Sequence, residues 1–211
     1  MTHLHPTAEL AERALLPDDP GQALALTRVL YDETPRMFNH HRGLWGYTGV
    51  ALDGAPLTVQ STGIGGPSAA IVVAELQALG LRRAVRIGRA WALDPALRAG
   101  ELVAASAVIA NDGASRALGA GVRIEPDPAL AAALRGDRSG VLASADVAEA
   151  QRTADAVAFD LESAAVLAAA ARAGIRAACL VAIEGAVDPD HVAARLGRAA
   201  LAAIAPVLTR P

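Results

Sequence analysis

The chain has 211 residues, of which 53% are apolar but only 3% aromatic, with a formal net charge of −3 and one cysteine. Its length suits one large α/β domain, expected over residues 1–211, with a core of Ala, Leu and Val rather than rings. The scattered charges exclude an electrostatic footprint for nucleic acid or an anionic membrane, and the lone Cys179 excludes a disulfide or a Cys-based metal site.

Residues 1–8 carry His3 and His5 around Pro6, too short and irregular to fold alone, and read as an N-terminal arm that either frays or docks. The N-terminus has no basic region followed by an apolar one, and no segment is apolar enough to span a bilayer, so a soluble cytoplasmic protein is expected. Ala11 to Leu16 predicts a strand, Pro17-Asp18-Asp19-Pro20-Gly21 a turn, and Ala23 to Tyr31 a helix. From Leu44 to Gln60, two alternating runs flank Asp53-Gly54, the signature of a tight hairpin. Leu57 and Val59 then lead through Thr62-Gly63-Ile64-Gly65-Gly66-Pro67-Ser68 into a helix ending at Gly80, and Ala84 to Gly88 reads as a buried strand. That is a βαβ unit with parallel strands and a right-handed crossover.

Further on, Glu101 to Ala110 and Gly140 to Ser144 predict strands, with a short helix over Pro128 to Leu134 between them. Ala156 to Phe159 predicts a strand running into Asp160-Leu161-Glu162-Ser163. Ala164 to Ala173 is helical with Gly174 just past its end, Ala177 to Ile183 is a buried strand containing an inert Cys179, and His191 to Leu208 is a final amphipathic helix. No internal repeat is present. The elements add up to a single α/β domain with a central mixed, twisted β-sheet flanked by helices.

Three features could carry chemistry. The Gly-rich loop frees backbone N–H groups, including that of Gly65, to face an anion at a helix N-terminus. Its spacing is neither the dinucleotide nor the triphosphate pattern, and a close-packed turn is the plainer reading. Asp160 and Glu162 stand two apart at the end of a strand, where open sheets place ligands. They can grip a sugar diol or cap the following helix, and capping suits Asp160 better. Arg86 lies inside an apolar strand and needs an anionic partner, either phosphate or an internal carboxylate, with Arg89 and Arg42 as further candidates.

Taken together, Ser61 to Ser68 (STGIGGPS), Leu79 to Gly88 (LGLRRAVRIG), Asp112-Gly113-Ala114-Ser115, and Leu161-Glu162-Ser163-Ala164 followed by Gly174-Ile175-Arg176-Ala177 resemble the nucleoside phosphorylase family, in its uridine phosphorylase branch. The resemblance implies phosphorolysis of a nucleoside to free base and ribose 1-phosphate, with phosphate as co-substrate, no metal and no organic cofactor. It implies that Arg86 binds phosphate, that Glu162 grips the ribose hydroxyls with Leu161 against the sugar, and that Arg42 and His3 reach into a partner's site in a homodimer or hexamer.

The departures leave alternatives open. Asp18 and Gln22 stand where the resemblance implies Gly and Arg. Arg89 and Trp91 replace small residues, so that Arg89 either supplies a substitute phosphate contact or pairs with Asp18 and fills the phosphate site. Residues 147–158 are too few to carry the uracil-reading insertion. Glu184 stands near an acid used to protonate purines, though an exposed loop Glu is the plainer reading. A catalytically impaired paralogue that binds a nucleoside or base, and a phosphate-independent nucleoside hydrolase, are the competing functions.

Overall fold

The computed structural model describes residues 1–148 and 155–206. In chain order the elements are β1 (Arg13–Leu16), α1 (Pro20–Leu30), β2 (Arg36–Asn39), β3 (Gly46–Val50), β4 (Pro56–Gln60), α2 (Gly66–Ala78), β5 (Arg83–Ala92), β6 (Leu102–Ala110), α3 (Gly113–Ala117), β7 (Arg123–Ile124), α4 (Pro128–Ala133), β8 (Arg138–Ser144), β9 (Ala158–Asp160), α5 (Ser163–Ala173), β10 (Arg176–Ile183) and α6 (Pro189–Ile204). The mixed α/β architecture is the one the sequence predicts. The last helix begins earlier than expected, at Pro189 behind the Asp188 cap, and ends at Ile204; Leu208 lies outside the described residues. Strand β2, framed by polar Arg36 and Asn39, lacks an alternating pattern and was not legible.

The described strands form one sheet, ordered β10-β6-β8-β9-β5-β1-β4-β3-β2, with β7 beside β6. It is not open throughout. β5 runs ten residues, twice the expected length, and pairs parallel with β1 and β10 through its first part and antiparallel with β9 at Trp91 and Ala92. Because β10 also pairs with β5, the strands β5, β10, β6, β8 and β9 close into a ring. Alternation along β5 sorts its side chains between two cores: Val85 and Ile87 enter the core under α1 and α6, whereas Ala84 and Ala90 enter the core under α2 and α5. Arg86 and Gly88 share the second face.

Small residues let these layers close without aromatic filling. Gly66 on α2 lies against Ala114 and Ala165, and Gly197 on α6 against Leu26 and Leu30, close enough that a β-carbon on either glycine would press into its neighbours.

Of the two expectations for residues 1–8, fraying or docking, the structure shows docking, on the arm's own chain. The Glu75 carboxylate accepts the backbone N–H groups of Thr2, His3 and Leu4, the Leu4 side chain is fully buried, and Thr7 donates its N–H to Phe38 O on the open edge of β2 (2.8 Å). Three N–H donors converging on one carboxylate, a buried Leu contributing about 1.5–3 kcal/mol and a covered strand edge hold the arm on its own chain.

The arm is also clasped by histidine. His5 stacks on His41, with ring centroids 3.8 Å apart and planes within 10°. Partial desolvation, then the nearby His5, Arg42, His40 and His3, hold His41 below the ordinary value of 6.5, so the folded state favours its neutral form. A depressed pKa stabilises above 6.5, and that contribution is lost as pH falls. Amide-exchange protection at His5 and Thr7 is therefore expected to drop between pH 7.5 and 5.5. The Leu4 amide, held by a Glu75 carboxylate kept low by its backbone donors, should stay protected. Equal protection at both pH values would show that the stack does not contribute to docking.

Candidate active site

Four chain segments meet around Arg86. Asp18 follows β1 by two residues, β4 leads into the Gly-rich loop, β5 carries Arg86, and the short strand β9 delivers Asp160 just before α5 starts. Arg86 is fully buried, and its Nη2 donates to Glu162 Oε2 at 2.7 Å, with Asp160 Oδ2 at 3.5 Å and Asp18 Oδ1 at 3.7 Å. Burial alone would lower the guanidinium's pKa, but Asp160, Asp18 and Glu162 raise it. Gly88, two residues along on the same face, leaves the space in which Arg86 and Asp18 approach each other; a side chain there would run into both.

The Gly-rich loop does point an N–H at an anion, and the anion is the protein's own. Gly65, held at φ 85°, donates its N–H to Glu162 Oε1 at 2.8 Å, so Glu162 sits at the positive end of α2, which has no side-chain cap of its own. Asp160 is satisfied locally, as the capping reading expected. It accepts the hydroxyls of Ser144 and Ser163 and the N–H groups of Glu162 and Ser163, while Ala164 N donates to Ser144 Oγ. The network fixes the direction in which Asp160 and Glu162 face Arg86.

Three carboxylates around one guanidinium leave negative charge in excess. Burial raises the pKa of Asp18 and of Glu162, against the pull of Arg86, with the neighbouring carboxylates adding to the rise. A carboxylate whose folded pKa is raised contributes stability only at low pH and loses it as pH rises through that value, so both groups cost stability at neutral pH. Held against such a cost, a cluster of this kind marks a functional site. Arg86 Nε and Nη1 and Asp18 Oδ1 remain buried without a hydrogen-bond partner.

Arg89 and Asp18 do not pair, contrary to one of the two sequence readings. Three residues from Arg86 on a strand, Arg89 emerges on the opposite face, where its Nη1 meets both carboxylate oxygens of Glu184 at 3.0 and 3.2 Å. Glu184 is correspondingly a partly exposed, ion-paired residue, which removes the burial on which its reading as a proton donor rested. Arg89 nevertheless lines a cleft of about 370 Å³ with Asp18, Asp19, Gln22 and Asp190, between the N-termini of α1 and α6. The cleft carries more acid than base.

Leu161 is half-buried beside Glu162. Arg42 is exposed on a tight turn over His41–Gly43, in the left-handed conformation (φ 58°, ψ 20°). His3 is docked at Glu75, nine residues into α2 from Gly66 and so about 14 Å along that helix from the loop that meets Glu162. Neither Arg42 nor His3 joins the site of its own chain. The part of the 147–158 segment at residues 149–154 lies outside the described residues.

Asp160 and Asp18 were both singled out in the sequence, Asp160 by its two-residue spacing from Glu162 and Asp18 as a departure from the family pattern, but Asp18 was expected against Arg89, and the structure turns both to Arg86. Cys179, beside Arg86 in the sheet register, is fully buried and its thiol is pushed up to about 12 by that burial, which leaves it inert. Among the described residues, no group of three His, Cys, Asp or Glu could hold a metal ion, and no helix is long and apolar enough to cross a membrane.

Comparison with known proteins gives the family. The chain is 38% identical over 108 residues to a uridine phosphorylase of Thermococcus kodakarensis, 51% of this chain and 38% of that protein. It is 37% identical over 105 residues to a uridine phosphorylase of Escherichia coli, covering 50% and 40%, and 31% identical over 119 residues to a DeoD-type purine nucleoside phosphorylase of Oceanobacillus iheyensis, covering 56% and 50%. The matched stretch thus spans half or less of each relative's length. A family model described as the Phosphorylase superfamily matches residues 12–206, nearly the whole chain, and this protein belongs to that superfamily.

Proposed function

We propose that this protein binds a nucleoside at the Glu162–Arg86 site and breaks its N-glycosidic bond, releasing the free base. The observation that carries this is the 2.7 Å contact between Glu162 and a fully buried Arg86, beside a loop whose Gly65 N–H orients the same carboxylate. Uridine and purine nucleoside phosphorylases among its relatives support the substrate class. In that reaction the ribose becomes oxocarbenium-like as the base departs. A carboxylate held by Arg86 and Gly65 can still accept the ribose hydroxyls on its free lone pairs, which fixes the sugar and places negative charge near the developing cation. Leu161 would pack on the sugar. No metal or organic cofactor is asked of the step.

The resemblance implies phosphate as the attacking group, with Arg86 as its anchor. The three carboxylates already facing Arg86 weigh against a dianion: at an effective dielectric of about 20, each like-charge pair about 4 Å apart opposes binding by about 4 kcal/mol. Arg42 and His3, exposed or docked away from their own Arg86, are proposed to complete the site of a neighbouring copy in a homo-oligomer.

Incubation with a panel of purine and pyrimidine nucleosides, with and without phosphate, followed by chromatography for free base, tests the function. Base release is expected, and Glu162→Ala should lower it at least 100-fold while weakening nucleoside binding in calorimetry. Full turnover in Glu162→Ala would remove the ribose assignment, and no base release from any nucleoside would remove the function.

A further inference from the structure

We propose that a second ligand site lies between α5 and the segment joining α3 to β7, and that it takes the phosphate monoester of a sugar, with Arg123 and Arg172 on the phosphate and Glu125 on a hydroxyl. The site is independent of the nucleoside-cleaving reading above. Arg172 stands ten residues beyond Glu162, about 15 Å along α5.

A cavity of about 420 Å³ opens there, within the range that small-molecule sites occupy, and Arg123, Glu125 and Arg172 all line it. Both walls are regular structure. Arg123 begins β7 opposite Ile109 of β6, and the chain that follows is pinned by Asp127, whose N–H donates to Ala177 O at 2.7 Å and whose carboxylate takes Arg176. On α5, Ala168, Ala171 and Arg172 are spaced three and four apart and share a face, and the two alanines leave open a wall that larger side chains would fill. Gly119, held at φ 82°, turns the chain at the rim. The arginines are therefore carried on a strand and a helix that stand in place before any ligand arrives.

Their charges are unanswered by the protein. Arg13, Arg89 and Arg176 each meet a carboxylate at 3.0 Å or less. Among the described residues, neither Arg123 nor Arg172 makes an ion pair or a side-chain hydrogen bond, and Glu125 beside them is unpaired as well. Two cations and one carboxylate on one cavity call for a ligand that carries both an anion and a donor. Guanidinium forks match phosphate oxygens in charge-assisted hydrogen bonds, and an ionised carboxylate, which only accepts, takes a hydroxyl. A zwitterion would leave the net positive charge standing, whereas a phosphate monoester neutralises it. Ala168 and Ala171 offer the carbon face of the sugar an apolar floor.

The full-length protein, labelled with ¹⁵N, is titrated with ribose 5-phosphate and separately with inorganic phosphate and with ribose. Ribose 5-phosphate is expected to move the amide resonances of residues 118–125 and 168–172, and Arg123→Gln and Arg172→Gln should each weaken that binding about 10- to 100-fold. Inorganic phosphate should bind there more weakly than the ester, and ribose alone should not bind. Glu125→Ala removes both the acceptor and the opposing charge, so it should tighten inorganic phosphate and erase the lead of the ester. Resonances unmoved elsewhere in the free variants show that they fold, and cleavage of nucleosides should be unchanged in Arg172→Gln. Shifts confined to Gly65 and Glu162 would place the ligand at the Arg86 site and overturn the second one, leaving the nucleoside reading standing. Equal affinity in the wild type and both arginine variants would overturn the role of the arginines. Inorganic phosphate binding as tightly as the ester would overturn the sugar.

Discussion

Replacing Arg86 with alanine is expected to destabilise the protein by about 3–5 kcal/mol at pH 7, the range for removing one partner of a buried ion pair. Asp160, Glu162 and Asp18 would then face one another with no cation among them. Asp160 would keep its two serine hydroxyls and Glu162 its Gly65 N–H, so the backbone has reason to stay, but the charges do not. The sign with pH is specific. Without Arg86 the already raised pKa values of Asp18 and Glu162 rise further, so protonation relieves the variant more than the wild type, and the deficit should shrink from pH 7 to pH 5. Urea unfolding at both pH values reads this directly, with Arg86→Met separating charge from lost volume. A deficit of equal size at both pH values in both variants would mean that packing, not charge, is what Arg86 supplies.

Asp53→Ala should cost about 2–4 kcal/mol, although Asp53 stands in a surface loop. The Asp53-Gly54 signal predicted a tight hairpin, and the antiparallel pair of β3 and β4 turns there, with Ala51 N donating to Ala55 O and Gly54 N to Ala51 O. β3 and β4 pair from Val50 opposite Pro56, and in the connection over 51–55 the Asp53 carboxylate meets Arg13. Arg13 is 2% exposed and donates through both terminal nitrogens to Asp53, at 2.5 and 2.6 Å, and also to the carbonyls of Pro56 and Ala55. Without Asp53, a buried guanidinium would keep the carbonyls of Pro56, Ala55 and, at 3.5 Å, Ile204, and no counter-charge. Hydrogen bonds from Arg13 hold Asp53 below the ordinary value of 3.8, so the pair stabilises above that pH and loses its contribution as pH falls through the lower folded value. The difference between wild type and Asp53→Ala in urea should therefore be constant from pH 7 to 5 and close below 3.8. A surface-like change of a few tenths of a kcal/mol at pH 7 would show that Arg13 is sustained by the carbonyls alone.

Much of the fold was legible because its signals are local. Alternation announced β3 and β4, the 3.6-residue period announced α1, α2 and α5, and Gly174 ended α5 in the left-handed conformation a glycine tolerates. Arg86 in an apolar strand announced a buried charge in search of an anion, and the Asp160–Glu162 spacing announced where carboxylates would gather. Strand alternation even contained the fact that Arg86 and Arg89 face opposite ways, which already counted against one of the two readings of Arg89, its pairing with Asp18.

What the linear order could not supply was the choice of partner. Arg86 and Glu162 are 76 residues apart, and Arg13 and Asp53 are 40 apart. The ring of strands closes only because β5 is long enough to serve β10 and β9 in turn, and the arm docks only because Glu75 and the edge of β2 happen to flank its path. Composition and periodicity thus determined by themselves the order of the main elements, with the short β2, α3 and β7 excepted, the layered architecture and the residue types at the site. The folded chain alone decided that Arg86 is met by three of the protein's own carboxylates. Periodicity is a property of neighbours along the backbone, whereas the energy of a buried charge depends on whatever groups the finished packing brings within a few ångströms of it.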